Sequence, residues 1–195
     1  MKIQKIQALC KSAKRIMIIN DSALGIQWLS DGTAIYPLFK LPRLSEENIF
    51  AMFDIPADKQ GKIYSDERDR LPETLDFGDT AEGEQLVNLE PFGITAYGRG
   101  LEVFRGSEGA MLVDKKYLAP FDDSVAYYER VRRGGRPYIV AKEGMFISGI
   151  ILPFEARREL SKWLSNTGEA MITVSDDEPM QSQLQFEDDE EEDDE

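Results

Sequence analysis

Apolar residues recur near the start of the chain at the spacing of an amphipathic helix. Ile3, Ile6, Leu9 and Cys10 are three or four positions apart on a background rich in Lys and Gln. A stripe of this kind covers one face of a helix, and it predicts a helix that ends near Arg15.

Two more helices are predicted from signals at their ends. Ser45 is a good N-cap and is followed by two acidic residues, so we expect a short helix from Ser45 that stops before Pro56. A third helix is predicted over residues 155–164, closed by the Gly168 that follows Asn166.

Short apolar runs separated by turn residues predict strands over most of the remaining chain. Asp31-Gly32 can supply the positive φ angles of a tight turn, so residues 26–29 and 34–38 are predicted to form a hairpin. Residues 138–141 and 145–152 are predicted to form another. Further strands are predicted at 16–19, 62–64, 92–97, 101–104, 110–113 and 125–128. The predicted fold class is α+β, with antiparallel β-hairpins and a few short helices.

Composition changes divide the chain into a body and a tail. Residues 1–175 are predicted to form a single α+β domain, which includes an acidic, loop-rich segment at about 54–90. Residues 71–80 within that segment are predicted to form a long surface loop, the kind that is often mobile or functional. Residues 176–195, the acidic tail, have too few apolar side chains to offset the entropy of ordering and are predicted to be disordered.

Most of the net charge lies in the acidic tail. The chain has 37 acidic and 23 basic residues, a net charge of −14. The tail holds 12 of the acids and no base, so residues 1–175 carry 25 acids against 23 bases, a net charge of −2. A nearly neutral body with a polyanionic end indicates an arm that engages something basic.

The residues that are missing exclude many enzyme classes. The chain has no histidine and a single cysteine, Cys10, which removes Ser-His-Asp and Cys-His catalysis and histidine-ligated zinc. No phosphate-binding loop or dinucleotide fingerprint is present. We therefore predict no catalytic residue, cofactor or metal. Acidic clusters leave a carboxylate-metal nuclease as a remote alternative: Asp66, Glu67 and Asp69; Asp76 and Asp79; Asp122 and Asp123.

An arginine-rich turn is the strongest candidate for direct contact with nucleic acid. Arginine side chains beside aromatic rings can grip phosphates and stack on bases. The alternative is a solvated turn whose arginines pair with the acidic segment, and the sequence leaves both open. The candidate residues are Tyr127, Tyr128, Arg130, Arg132, Arg133 and Arg136.

The end of the acidic tail is the candidate for binding a protein partner. Two apolar side chains directly precede the unbroken acidic run. The acidic charge can speed association with a protein partner, and the apolar pair can slow its dissociation. The alternative is a tail that only improves solubility. The candidate residues are Leu184, Phe186, Glu187, Asp188, Asp189, Glu190, Glu191, Glu192, Asp193, Asp194 and Glu195.

Residues 25–38, 41–50 and 79–84 give the chain a family resemblance. In these stretches it resembles small uncharacterised proteins encoded by phages and prophages of gut Firmicutes. Such proteins often act on nucleic-acid enzymes of the host, and type II anti-CRISPR inhibitors, anti-restriction proteins and replication accessories belong to that class. The resemblance implies a context and assigns no site residues.

Two functions are expected from these observations. The first is a non-enzymatic acidic binding protein that engages and inhibits a basic nucleic-acid-handling protein, such as a CRISPR or restriction nuclease. The second is a single-stranded nucleic-acid-binding or replication accessory protein whose acidic tail is autoinhibitory. We expect a cytoplasmic location and no membrane segment, because the chain shows no signal peptide, no long apolar run and no pair of cysteines. The oligomeric state is not predicted.

Overall fold

The computed structural model describes residues 1–22, 25–96, 98–154 and 164. This part of the chain has the mixed α+β fold predicted from the sequence. Its helices are α1 (Ile3–Ala13), α2 (Glu46–Met52), α3 (Ala57–Gln60) and a 3₁₀ helix, η1 (Lys115–Tyr117). Its strands are β1 (Arg15–Asp21), β2 (Ile26–Ser30), β3 (Ala34–Pro37), β4 (Tyr64–Arg68), β5 (Gln85–Val87), β6 (Leu89–Ala96), β7 (Arg99–Gly106), β8 (Gly109–Asp114), β9 (Ala126–Val131), β10 (Pro137–Glu143) and β11 (Phe146–Ile151).

The described strands form two sheets. Eight of them lie in the order β4-β1-β2-β3-β11-β10-β9-β5, and β6, β7 and β8 form the second sheet. Every pairing is antiparallel except β1 with β4, which is parallel. The two predicted hairpins are present as β2–β3 and β10–β11. Both turns contain a glycine in a left-handed conformation: Gly32, from the predicted Asp31-Gly32 turn, at φ 94° and Gly144 at φ 63°.

One face of the large sheet is covered by α1 and α2. The predicted apolar stripe of α1 is buried at Ile6, Leu9 and Cys10, in a cluster that also takes in side chains of β1, β2 and the second sheet. The Ser45 cap of α2 is confirmed, because its hydroxyl accepts a hydrogen bond from the Asn48 amide at 3.4 Å.

The opposite face of the large sheet is covered by the loop predicted at residues 71–80. This loop has no helix or strand, but its apolar side chains pack inward while most of its polar residues are exposed. Leu71, Leu75 and Phe77 contact a second apolar cluster, and the Phe77 ring meets Trp28 edge to face with centroids 5.1 Å apart. The loop therefore shields this part of the core from solvent in addition to connecting two strands.

The structure differs from the sequence prediction at one sheet edge and in three short elements. The strand predicted at 62–64 begins at Tyr64, as β4, and pairs in parallel with β1. The elements that were not predicted are β5, α3 and η1. Of the helix predicted at 155–164, only Leu164 is described, and it is buried against β7 and β8. The acidic tail lies outside the described residues. No described helix has the length and apolar character needed to cross a membrane.

Candidate functional site

The six residues of the predicted nucleic-acid site do not form one surface. Strand β9 alternates its side chains between the two faces of the large sheet. Tyr127 lies on the α1 side, where its ring packs edge to face on Phe104 at 5.1 Å between centroids. Tyr128 lies on the other side, beneath the Lys142 ammonium, which is 4.5 Å from its ring centroid. The two tyrosines therefore cannot stack bases together.

Arg130 is part of a buried charge cluster. Its side chain is 2% exposed and its Nε donates to Glu84 Oε2 at 2.7 Å. Lys142 Nζ pairs with the other oxygen of Glu84. Arg130 Nη1 also donates to the carbonyl of Asp76 at 2.9 Å, and that residue's amide donates to the Tyr138 hydroxyl at 2.9 Å. For Arg130, the pairing with the acidic segment that the sequence left open is the one observed.

The remaining three arginines stay together at the hairpin tip between β9 and β10. Gly134 and Gly135 turn the chain in left-handed conformations, at φ 105° and 79°. The tip is held in place because the Arg133 amide donates to the Thr74 carbonyl at 3.2 Å and the Arg132 amide to the Arg136 carbonyl at 2.9 Å. Arg133 and Arg136 are exposed, and Arg132 is partly exposed.

Two of these arginines meet a third, from the other sheet, in a cleft of about 300 Å³. Arg99 begins β7, in the second sheet, and also lines the cleft. We call this site the arginine cleft. Its lining residues are Gly32, Thr33, Arg99, Asp114, Tyr117, Arg132, Arg136, Leu152, Pro153 and Phe154.

The arginine cleft has a positive net charge. The described lining residues include three arginines and one acid, Asp114, which gives them a net charge of +2. Asp114 Oδ2 is 4.0 Å from Arg99 Nη1 and 3.6 Å from Lys116 Nζ, so its own charge is shared between two cations. Arg15 adds a further cation nearby, because a Cβ placed on Gly32 would be only 2.7 Å from Arg15 Nη1.

The β2–β3 turn supplies Gly32 and Thr33 to the cleft lining. One carboxylate oxygen of Asp31 accepts the amides of Thr33 and Ala34, at 2.9 and 3.0 Å, which sets the shape of this turn. Burial raises the pKa of Tyr117 to about 12, with the Asp31 charge adding to the rise. Tyr117 is therefore neutral at physiological pH, and the charge at the cleft comes from its arginines and Asp114.

Several carboxylates of the three acidic clusters already have partners within the fold. Asp66 accepts from Arg68 Nε at 2.6 Å, which holds the pKa of its carboxyl below its usual range. Glu67 accepts from Asn20 at 2.8 Å, and Asp122 pairs with Lys2 at 2.9 Å. Within residues 1–22, 25–96 and 98–154, no group of three or more acids or cysteines is placed to hold a metal ion.

The residues of the arginine cleft that are distant in sequence from the arginine-rich turn were not predicted. Arg99, Thr33 and Phe154 join the hairpin tip only after the two sheets pack. Gly98-Arg99-Gly100 offered a local signal, an arginine between two glycines, but nothing in the sequence linked it to Arg132. The predicted partner-binding residues of the acidic tail lie outside the described part of the chain.

No family model, curated protein or solved structure matches this chain. Its function is therefore inferred from the residues that the fold brings together and from the distribution of charge along the chain.

Proposed function

We propose that this protein is a non-enzymatic binding protein that takes single-stranded nucleic acid at the arginine cleft. The observation that carries the proposal is the convergence of Arg99, Arg132 and Arg136, from two separate hairpins, on one cavity of about 300 Å³. Guanidinium groups present forked donors that match the oxygens of a phosphate, and they remain charged at any physiological pH.

The shape of the site favours a single strand over a duplex. The cleft is small and concave, and a flexible strand can bend its phosphates into it. A duplex is stiff over about 50 nm, so it cannot follow so small a concavity without a cost in bending energy. Phe154 lines the same cleft and packs against the apolar cluster of the second sheet, so it adds an apolar wall beside the arginines.

The test is a fluorescence-anisotropy titration of labelled oligo(dT) with the full-length protein. We expect saturable binding whose log K falls with log salt at a slope of about −2, since three arginine–phosphate contacts on a single strand each contribute about −0.7. The double variant Arg99→Gln/Arg132→Gln should bind at least about tenfold more weakly, because each lost contact to a charged phosphate weakens binding by more than a surface ion pair would.

A matched double variant provides the control. Arg43 and Arg70 are exposed and lie outside the cleft, so Arg43→Gln/Arg70→Gln removes the same charge and should bind like the wild type. Equal loss in both double variants would mean that only net charge matters, and the arginine cleft would not be the site.

The acidic tail favours a second function, in which the protein engages a basic nucleic-acid-handling protein in the cytoplasm and inhibits it. The supporting observation is the density of charge: residues 176–195 carry 12 acids and no base, with Leu184 and Phe186 directly before the last nine. The acidic run would compete for a groove where phosphates normally lie. Absence of oligo(dT) binding by the wild type, together with salt-sensitive capture of such a partner that neutralising Glu187–Glu195 abolishes, would favour this function over the first.

A further inference from the structure

A second basic concavity lies at the far end of α1 and shares no residue with the arginine cleft. It has a volume of about 340 Å³ and lies between the end of α1 and residues 54–63. We call it the lysine pocket. Its lining residues are Lys11, Lys14, Asp54, Ile55, Pro56, Lys59, Lys62 and Ile63.

Backbone hydrogen bonds hold the rim of the lysine pocket in place. Helix α1 ends with Lys14 in a left-handed conformation, φ 52°, and the carbonyl of this residue accepts the Tyr64 amide at 3.0 Å. On the other side, the Lys62 amide donates to the Lys59 carbonyl at 3.0 Å. The Gln7 side chain donates to the Phe53 carbonyl at 2.8 Å and ties α1 to the end of α2. The four lysines are therefore brought together by the fold.

The lysine pocket is both strongly positive and partly apolar. Its lysines are all exposed, and none of them forms an ion pair with a residue that the structure describes. Asp54 is the only acid among the described residues of the lining, which together carry a net charge of +3. Ile55, only 7% exposed, forms an apolar floor together with Pro56 and the half-buried Ile63.

We propose that the lysine pocket holds the end of the same chain, residues 184–195. This segment has the complementary pattern: Leu184 and Phe186 fit an apolar floor, and the nine consecutive acids that follow fit a rim of lysines. Lysine ammonium groups are point charges on flexible stems and can follow an irregular row of carboxylates. The higher net charge and the apolar floor favour the lysine pocket over the arginine cleft as the site for the tail.

The chain is long enough for this contact to form within one molecule. Leu164 is fixed against the second sheet, and 22 residues separate it from Phe186. That length spans at most about 75 Å, against a diameter of about 40 Å for a body of this size. A tethered segment that can reach its site has an effective concentration of the order of millimolar, so a weak site suffices.

Carbodiimide cross-linking of the full-length protein tests the proposal, because this reagent joins only carboxylates and amines in direct contact. At low salt we expect intrachain links from Glu187–Glu195 to Lys11, Lys14, Lys59 and Lys62, mapped by mass spectrometry, that fade as salt rises. Lys59→Glu/Lys62→Glu should lower the links to Lys11 and Lys14 by roughly tenfold, as expected for the loss of two exposed ion pairs. Lys5→Glu, an exposed charge reversal on the same helix, should change them little.

A second double variant tests the apolar part of the contact. Leu184→Ala/Phe186→Ala leaves every charge in place and should lower the links several-fold, because the floor of the pocket loses its anchors. Links spread evenly over all exposed lysines, or concentrated on Lys115 and Lys116 beside the arginine cleft, would overturn the assignment. Links found only between two chains would overturn the intramolecular contact. None of these outcomes bears on oligo(dT) binding at the arginine cleft.

Discussion

Among single residues, Glu84 is the one whose replacement we expect to lower the stability of the fold most. It receives hydrogen bonds from Arg130 and Lys142, whose side chains are 2% and 4% exposed. Burial raises the pKa of Glu84, but the hydrogen bonds from Lys142 and Arg130 outweigh it and lower the pKa below its usual value. The ionised carboxylate therefore compensates two buried cations at once.

Replacing this carboxylate should be costly. Glu84→Gln leaves Lys142 buried without a carboxylate partner and leaves Arg130 with only the longer pair to Asp76, at 3.9 Å, so the free energy of unfolding should fall by about 3–5 kcal/mol. Glu82→Gln makes the same change at an exposed neighbour and should stay within about 0.5 kcal/mol. Urea denaturation at pH 7 measures both, and a loss of less than about 1 kcal/mol for Glu84→Gln would show that the cluster contributes little.

The same residue predicts a dependence on pH. Because the pKa of Glu84 is lower in the folded protein, its contribution is fully present above the unfolded value, about 4.3, and is lost as the pH falls through the folded value. The gap in stability between the wild type and Glu84→Gln should therefore shrink as urea midpoints are followed from pH 6 towards pH 3. A gap that widened in acid would reverse the sign we assign to this group.

Among the helices and strands, β11 shows how closely the layers pack. Gly149 lies beneath Phe121, and a Cβ added there would come 2.7 Å from Cζ of Phe121 and 3.1 Å from Cδ1 of Tyr36. Gly149→Ala should therefore destabilise the protein by about 1–3 kcal/mol through overpacking. Gly61→Ala, at an open helical position with φ −63°, is the control and should be neutral or stabilising. Equal thermal midpoints for the two variants would contradict this packing.

Helices and hairpins with local signals could be predicted from the sequence. The stripe from Ile3 to Cys10, the Ser45 cap and the Asp31-Gly32 turn each act within a few residues, and all three are observed. Strand β4 has no such signal, because it is a largely polar edge strand whose parallel pairing with β1 arises only when the sheet assembles. Strand β5 is three residues long and two of them are exposed, which leaves no periodic pattern to detect.

The candidate site was predictable only in part, for the same reason. The arginine-rich turn could be found from composition, and Arg132, Arg133 and Arg136 do lie together. The alternation of β9 could have separated Tyr127 from Tyr128, but the partner of Arg130 could not be inferred, since Glu84 is 46 residues away. Arg99 reaches the cleft from a different sheet, and no local pattern connects two sheets.

Across the whole chain, charges of opposite sign occupy separate places. The net charge of −14 comes mostly from the acidic tail, while the described residues gather cations at the arginine cleft and the lysine pocket. The protein has a pI of about 4.5, so its net charge repels a polyanion. Within the Debye length, however, the local potential at a basic site outweighs the net charge, and a polyanion can approach that site.

The central claim, that the arginine cleft binds single-stranded nucleic acid, is tested most directly by mapping the contact. Isotope-labelled full-length protein would be titrated with oligo(dT) of about eight nucleotides while backbone amide resonances are followed by NMR. We predict that the largest shifts cluster at Thr33, Arg99, Gly100 and Arg132, and that they disappear in Arg99→Gln/Arg132→Gln. Shifts confined to other surfaces, or no shifts at a concentration that saturates binding, would contradict the claim.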